Sequence, residues 1–246
     1  MAATTRIEWT EQTWNPTTGC TKVSPGCKHC YAETLAKRLC AMGAPGYENG
    51  FELSLMENRL KQPLSRRKPT LYFVNSMSDL FHEAVPEAFL QKIFTVIEQT
   101  PHHTYQILTK RAEHMRLFFS QHPVPNNVWL GVSVEDRRYG VPRMDILRSI
   151  DARVRFISAE PLLEDLGRVN LSGLHWLIVG GESGPAARPM QAAWVENLQR
   201  QCRAQGTAFF FKQWGAFGAD GQRRSKHANG RLFQGQQWDE RPVIMR

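Results

Sequence analysis

The stretch Leu71-Tyr72-Phe73-Val74-Asn75-Ser76-Met77-Ser78-Asp79 is an apolar run that turns polar at its C-terminal end. Such a continuous apolar run fits a strand covered on both faces, which is the habit of parallel sheets. The same construction recurs along the chain, and Ile7–Trp9, Leu71–Asn75, Tyr105–Thr109, Val128–Val134, Val154–Ser158, Trp176–Gly180 and Ala208–Phe211 read as strands. Helical periodicities lie between them. Phe89, Leu90, Ile93, Phe94 and Ile97 repeat at three- and four-residue spacing after Pro86, and Trp194, Val195, Leu198 and Cys202 do so after the sixth strand. Strand and helix in turn predict an α/β fold, a partial to near-complete parallel (β/α) TIM-like barrel of six to seven strands. Two irregular stretches read as additions to that one domain. The barrel is expected over 1–214 with an insertion at 44–69, and a basic C-terminal extension over 215–246 packs on the same domain.

In a parallel barrel the C-terminal ends of the strands converge on one mouth, where active sites are built. The polar groups gathered there are Asn75-Ser76-Met77-Ser78-Asp79, Thr109-Lys110-Arg111, Ser133-Val134-Glu135-Asp136, Ser158-Ala159-Glu160, Gly180-Gly181-Glu182-Ser183 and Lys212-Gln213-Trp214. Glu160, Lys212 and the nearby His82 are the candidates for catalysis, since a carboxylate, an amine and an imidazole can each move a proton.

Composition narrows the class. A 246-residue chain that is 41% hydrophobic and 22% charged carries a sizeable core, which excludes a disordered chain or a disulfide-stapled mini-protein. No apolar run approaches the roughly 20 residues that span a bilayer, so no membrane partner is expected. Residues Met1–Glu8 lack the apolar core of a secretory signal, which points to a reducing cytoplasm where five cysteines serve other ends than disulfides. Thirty-one basic residues against 23 acidic leave +8. Residues 201–246 hold eight Lys or Arg and three Asp or Glu, +5 of that total. Arg223, Arg224, Lys226, Arg231 and Arg241, with Phe217, Phe233 and Trp238 among them, are placed to meet phosphates and bases, or else to form a solvated segment whose aromatics pack on the barrel. Trp214 offers one more ring for stacking.

The loop after the first strand holds the sharpest signal, Thr17-Thr18-Gly19-Cys20-Thr21-Lys22-Val23-Ser24-Pro25-Gly26-Cys27-Lys28-His29-Cys30-Tyr31. Its spacing is C-x6-C-x2-C, and Gly19, Pro25 and Gly26 supply turns that bring Cys20 back toward Cys27 and Cys30. Three thiolate ligands leave a coordination position open, whereas a structural zinc or electron-transfer cluster takes four protein ligands. Zinc with His29 or Cys40 as a fourth ligand is the alternative. Cys40 and Cys202 fall on helical patterns near apolar positions, where a thiol acts as a small buried hydrophobe. Trp9 and Trp14 flank the loop.

Three cysteines in the loop after the first strand of a parallel barrel, an aromatic after the last, and polar strand ends resemble the radical S-adenosylmethionine superfamily. Over longer stretches, Trp14-Asn15-Pro16-Thr17-Thr18-Gly19-Cys20, Asn75-Ser76-Met77-Ser78-Asp79-Leu80-Phe81, Leu130-Gly131-Val132-Ser133-Val134-Glu135, Val179-Gly180-Gly181-Glu182-Ser183-Gly184 and Phe211-Lys212-Gln213-Trp214-Gly215 resemble an uncharacterised phage-associated protein family with a three-cysteine motif. The superfamily resemblance implies that Cys20, Cys27 and Cys30 hold three irons of a [4Fe–4S] cluster and that S-adenosylmethionine chelates the fourth. It implies reductive cleavage of that cofactor to a 5′-deoxyadenosyl radical, and an external electron donor. The first cysteine interval is three residues longer than the superfamily's usual C-x3-C-x2-C. Ser76-Met77-Ser78-Asp79 stands where the superfamily carries a Gly-Gly-Glu run, and with Asn75 it is expected to receive the cofactor's amino group. Lys110, Arg111 or Lys212 would pair with its carboxylate, Ser133, Glu135, Ser158 or Glu160 would meet the ribose, and Gly180, Gly181 and Glu182 would line the adenine or substrate side. The charge directs the substrate expectation to a nucleic acid or nucleotide, to be modified or repaired. A peptide or small metabolite is the second expectation, and a non-catalytic iron–sulfur or zinc protein that binds nucleic acid the third. A separate partner protein is compatible with each.

Overall fold

A computed structural model describes residue 5 and residues 7–243; residues 1–4, 6 and 244–246, at the ends of the two expected segments, lie outside the described residues. In chain order the strands are β1 (Gln12–Trp14), β2 (Thr17–Thr18), β3 (Ser54–Leu55), β4 (Leu71–Val74), β5 (Thr104–Thr109), β6 (Val128–Ser133), β7 (Val154–Ala159), β8 (Trp176–Gly180) and β9 (Ala208–Gln213). The helices are α1 (Tyr31–Ala41), α2 (Glu87–Glu98), α3 (Ala112–Phe119), α4 (Val141–Arg148), α5 (Ala192–Gln205) and the single turn α6 (Lys226–Asn229). Seven parallel strands form one sheet in the order β1–β4–β5–β6–β7–β8–β9, an α/β fold of the partial TIM-like barrel type. β2 and β3 make a separate antiparallel pair.

Six of the seven expected strands overlap their sheet strands, and the first is displaced. Residues 8–9 form a turn, and the first strand is Gln12–Trp14, registered as Gln12↔Tyr72, Thr13↔Phe73 and Trp14↔Val74. Trp9 serves as a core plug instead, its ring 4.7 Å from that of Phe73. Hydrophobicity there reports burial, while membership of the sheet is decided by ladder pairing with β4.

The chain divides into two compact units. The first comprises Met1–Val23, Cys30–Leu130 and Ile150–Arg153. In it α2 buries Phe89, Leu90, Ile93, Phe94, Val96 and Ile97, the stripe its periodicity predicts, and Phe94 stacks on Phe118 of α3 at 5.1 Å. The 44–69 stretch supplies β3 and two short 3-10 turns, and the indole of Trp14 donates to the Arg59 carbonyl at 2.9 Å.

The second unit comprises Ser24–His29, Gly131–Ser149 and Val154–Arg246. β8 is buried throughout and sits between β7 and β9, with Phe156↔Trp176 and Trp176↔Ala208 in register. The tail's aromatics pack on β9: Phe233 lies 5.5 Å from Phe211 and 6.1 Å from Trp214, and Trp238 lies 5.9 Å from Phe209. Among the described residues no helix is long and apolar enough to cross a membrane.

Burial holds the imidazole of His103 below its ordinary value, and burial with the Arg155 charge does the same at His175. The unfolded chain binds protons at these positions near the ordinary value of about 6.5, and the native chain does not. Stability is therefore expected to fall as pH is lowered from about 6.5 through the depressed native values. Urea titrations at about pH 7.5 and 5.5 should show a lower midpoint at the acid pH, with a smaller difference in His103→Gln; equal midpoints would contradict the buried neutral imidazoles.

Candidate functional site

In the first unit the cysteine loop is tied down residue by residue. The Gly19 amide donates to the Met77 carbonyl at 3.0 Å and the Cys20 amide to that of Phe51 at 3.1 Å. The Asn15 side-chain oxygen accepts from the Ser76 hydroxyl and the Met77 amide, and the Asn75 side-chain amide donates to the Thr17 hydroxyl at 2.8 Å. The Ser78 and Thr17 hydroxyls are 2.5 Å apart. Asn75 adopts the left-handed region at φ 61°, a conformation asparagine tolerates better than most residues. Residues 75–78, expected to face a cofactor, thus spend their polar groups on the segment leading into Cys20.

Asp79 and Arg111 complete this arrangement. The Asp79 carboxylate, 7% exposed, accepts from the Thr109 hydroxyl at 2.6 Å, the Lys110 amide at 3.0 Å, the Phe81 amide at 3.1 Å and Arg111 Nη1 at 3.2 Å. The guanidinium also donates to Cys20 Sγ at 3.4 Å, to Glu83 at 2.8 Å, and to the Thr21 carbonyl and hydroxyl at 3.2 and 2.8 Å. Burial opposes its charge, but Asp79, Cys20 and Glu83 outweigh that and raise its pKa above the ordinary value. A fixed cation hydrogen-bonded to sulfur favours the thiolate. His82 is placed by the same group: its Nδ1 accepts from the Ala84 amide, so Nε2 carries the proton and donates to the Thr21 hydroxyl at 2.9 Å. Burial, then the Arg111 charge, lower its pKa, so the ring is neutral. Lys110 is half-buried, and no carboxylate pairs with it among the described residues. Cys30 occupies the N-cap position of α1.

The second unit holds the turn at Cys27 through two ion pairs whose carboxylates are buried. Glu135 is fully buried, pairs with Arg143 Nη1 at 2.7 Å, and accepts a short hydrogen bond from the Ser24 hydroxyl. Ser24 Oγ lies 3.8 Å from Cys27 Sγ. A Cβ at position 26 would sit 2.8 Å from the Glu135 carboxylate, which would then have to shift. Glu182, 6% exposed, is clamped by Arg188, whose Nε and Nη2 donate at 2.8 and 2.6 Å while its amide adds a third bond at 2.8 Å. Burial opposes ionisation of Glu182, yet these bonds and the guanidinium charge hold its pKa below the usual range. The same Arg188 reaches the Pro25 carbonyl at 3.1 Å.

At the ends of β7 and β9, Glu160 and Lys212 form a half-buried pair, with Lys212 Nζ 2.7 and 2.8 Å from the two carboxylate oxygens. Two of the three catalytic candidates thereby come together; His82 lies in the other unit. Gly181 is required by close approach, since a Cβ would fall 2.0 Å from the Trp214 carbonyl, and Gly180 backs onto the Glu160 carboxylate. Ser133 and Ser158 are buried. Trp214 is 2% exposed and packed against Phe211 and Phe233, so it is core and not a stacking platform. Cys202 is buried with its thiol pKa pushed up to about 12, and Cys40 packs beside Ala36 and Tyr47.

Sequence reasoning missed Thr21, Ser24, Glu83, Arg143 and Arg188. Arg143 left a trace: it shares the apolar stripe of α4 with Met144 and Leu147, where a charge needs a buried partner. All three loop thiols are partly exposed and in no disulfide. Among the described residues, no three His, Cys, Asp or Glu side chains are grouped as they would be around one metal ion.

A family model described as "Protein of unknown function (DUF5131)" matches residues 4–242. No curated protein matches the sequence. Among solved structures, a single-site mutant of spore photoproduct lyase is similar with a TM-score of 0.53 at 11% identity, over 87% of this chain and 79% of that one. Spore photoproduct lyase complexed with dinucleoside spore photoproduct gives 0.49 at 14% identity, over 83% and 64%. A double mutant of that lyase with bound AdoMet and the dinucleoside gives 0.47 at 15% identity, over 73% and 58%. The chain thus spans under two thirds of the length of the latter two, and the likeness is one of fold.

Removing one partner of a buried pair leaves the other charge unmatched, which costs about 3–5 kcal/mol. Arg111→Ala and Glu135→Ala are each expected to lose stability on that scale in urea unfolding. Lys92→Ala, which breaks only the exposed contact with Glu57, should change it by less than about 1 kcal/mol. Equal effects of all three would show that the buried pairs carry no special weight.

Proposed function

This chain belongs to the DUF5131 family of proteins of unknown function, and we propose that it is a radical S-adenosylmethionine enzyme that uses a [4Fe–4S] cluster and acts on a nucleic acid or nucleotide. One observation carries the reading: three cysteines in no disulfide, within eleven residues, follow the first strand of a parallel (β/α) sheet, and a buried guanidinium donates to the first of them. The donor set fits the cluster. Each thiolate in a cluster binds its own iron, so the sulfurs need not meet at a single ion, and three of them leave one iron for a small-molecule ligand. The fold, shared with spore photoproduct lyase, is compatible with it.

Cluster and cofactor together supply one-electron reductive cleavage and a radical able to abstract hydrogen, given an external electron donor. The chain's own residues bind and orient. Cys20, Cys27 and Cys30 hold three irons. Arg111 keeps Cys20 a thiolate and fixes the loop to Asp79; Asn75, Ser76, Met77 and Ser78 act one step back, by holding the segment from Asn15 to Gly19. Lys110 receives the cofactor carboxylate, being the half-buried cation at the end of β5 without a carboxylate partner among the described residues. The Glu160–Lys212 pair holds a proton beside the substrate, with Gly180 giving it room and Ser133 and Ser158 in the strands beside it. Glu135 and Glu182 hold the 24–27 turn. The +8 charge supports a polyanionic substrate.

Electron paramagnetic resonance on anaerobically reconstituted, dithionite-reduced protein tests this. A [4Fe–4S] signal that changes on adding S-adenosylmethionine is expected. Alanine at Cys20, Cys27 or Cys30 should abolish it, while Cys40→Ala and Cys202→Ala keep their iron. Zinc in place of iron, a signal indifferent to the cofactor, or iron retained in Cys20→Ala would overturn the assignment.

A further inference from the structure

The second unit carries a cavity of about 300 Å³ lined by Ser183, Gly184, Pro185, Ala216, Arg223, Arg224, Ser225 and Lys226. Its polar lining donates hydrogen bonds and contains no carboxylate. Arg223 Nη2 donates to the Gly184 and Pro185 carbonyls at 2.9 and 2.5 Å, and the guanidinium lies 5.2 Å from the Phe217 ring centroid. Held on two sides, it is pre-organised, so little side-chain entropy remains to be lost on binding. Among the described residues no carboxylate pairs with it, whereas Arg224 is matched by Asp220 at 2.6 and 2.9 Å. The Ser183 hydroxyl accepts from the Gln213 amide at 3.3 Å and that of Ser225 from the Ala228 amide at 3.2 Å, which leaves both O–H groups to donate.

A guanidinium that no carboxylate neutralises among the described residues, together with two hydroxyl donors, suits an anion bearing several acceptor oxygens. The cavity also borders the strand ends: the Gln213 side-chain nitrogen that reaches Ser183 lies 3.4 Å from the Gly181 carbonyl and 3.5 Å from Glu160 Oε1. We propose that this cavity binds a phosphate of a single nucleic-acid strand, next to the nucleotide presented to Glu160 and Lys212. The assignment deepens the reading of the substrate given above and rests on it for that last step alone.

The test is fluorescence anisotropy with a labelled single-stranded oligonucleotide of about twelve nucleotides, on the full chain, at several salt concentrations. Wild-type protein is expected to bind with a salt-dependent affinity. Arg223→Ala should weaken binding and lower the slope of log K against log salt by about 0.7, the contribution of one single-strand phosphate contact. Arg223→Lys should recover part of the loss, and Arg203→Ala, a surface cation outside the cavity, should change neither quantity. No binding, or equal losses in Arg223→Ala and Arg203→Ala with both variants folded by circular dichroism, would overturn the proposal. Competition by inorganic phosphate or a mononucleotide that leaves strand binding intact would overturn the assignment to a strand. The cluster signal is read separately, so a failed cavity leaves that reading standing, and a failed cluster leaves the cavity standing.

Discussion

The arrangement of the first unit depends on one buried guanidinium. Arg111 ends the turn after β5, yet it touches the end of β4 through Asp79, the loop beyond through Glu83, and the cysteine loop through Thr21 and Cys20. A charge this deep is tolerable only because each face of its fork meets an acceptor. The consequence runs both ways. The Asp79 carboxylate can be buried because Arg111 pairs with it, and Cys20 Sγ is held in place by the same guanidinium.

The second unit repeats the device with different residues. Glu135 and Glu182 are strand-end carboxylates, and each is matched by an arginine from the segment that follows, Arg143 and Arg188. Both pairs then hold the turn at Cys27, one through Ser24 and the other through the Pro25 carbonyl. Buried ion pairs add little net stability over apolar packing, but they tolerate no displacement of either partner. A loop whose sulfurs are kept at set positions is served better by that intolerance than by a larger core.

Much of the fold was legible because buried parallel strands are apolar on both faces, and Trp176–Gly180 cannot be mistaken for an amphipathic element. Gln12–Trp14 was not, since a three-residue strand with two polar residues carries no hydrophobic signature and is defined by its partner Tyr72-Phe73-Val74. The site was half legible for a related reason. Residue type and strand-end position single out Asp79, Glu135, Glu160 and Glu182, but the acceptor capacity left on each depends on its partner. Glu135 finds Arg143 eight residues on and Glu182 finds Arg188 six residues on, across turns whose geometry no spacing rule encodes. Glu160 and Lys212 were both picked out, though nothing in their 52-residue separation announced that they would meet.

The cations of this chain therefore divide into two populations with different consequences. Arg111, Arg143 and Arg188 are neutralised by carboxylates and contribute geometry, not field. The surplus of +8 must reside on groups without such partners, among them Arg223, so the potential offered to a polyanion is set by the surface while the cysteine loop is set by the interior. Salt screens the surface cations strongly and the paired interior ones much less, because buried pairs lie largely beyond the reach of the ionic atmosphere. Loop geometry and surface potential are in this way separable physical properties of one small chain, and each can vary without disturbing the other.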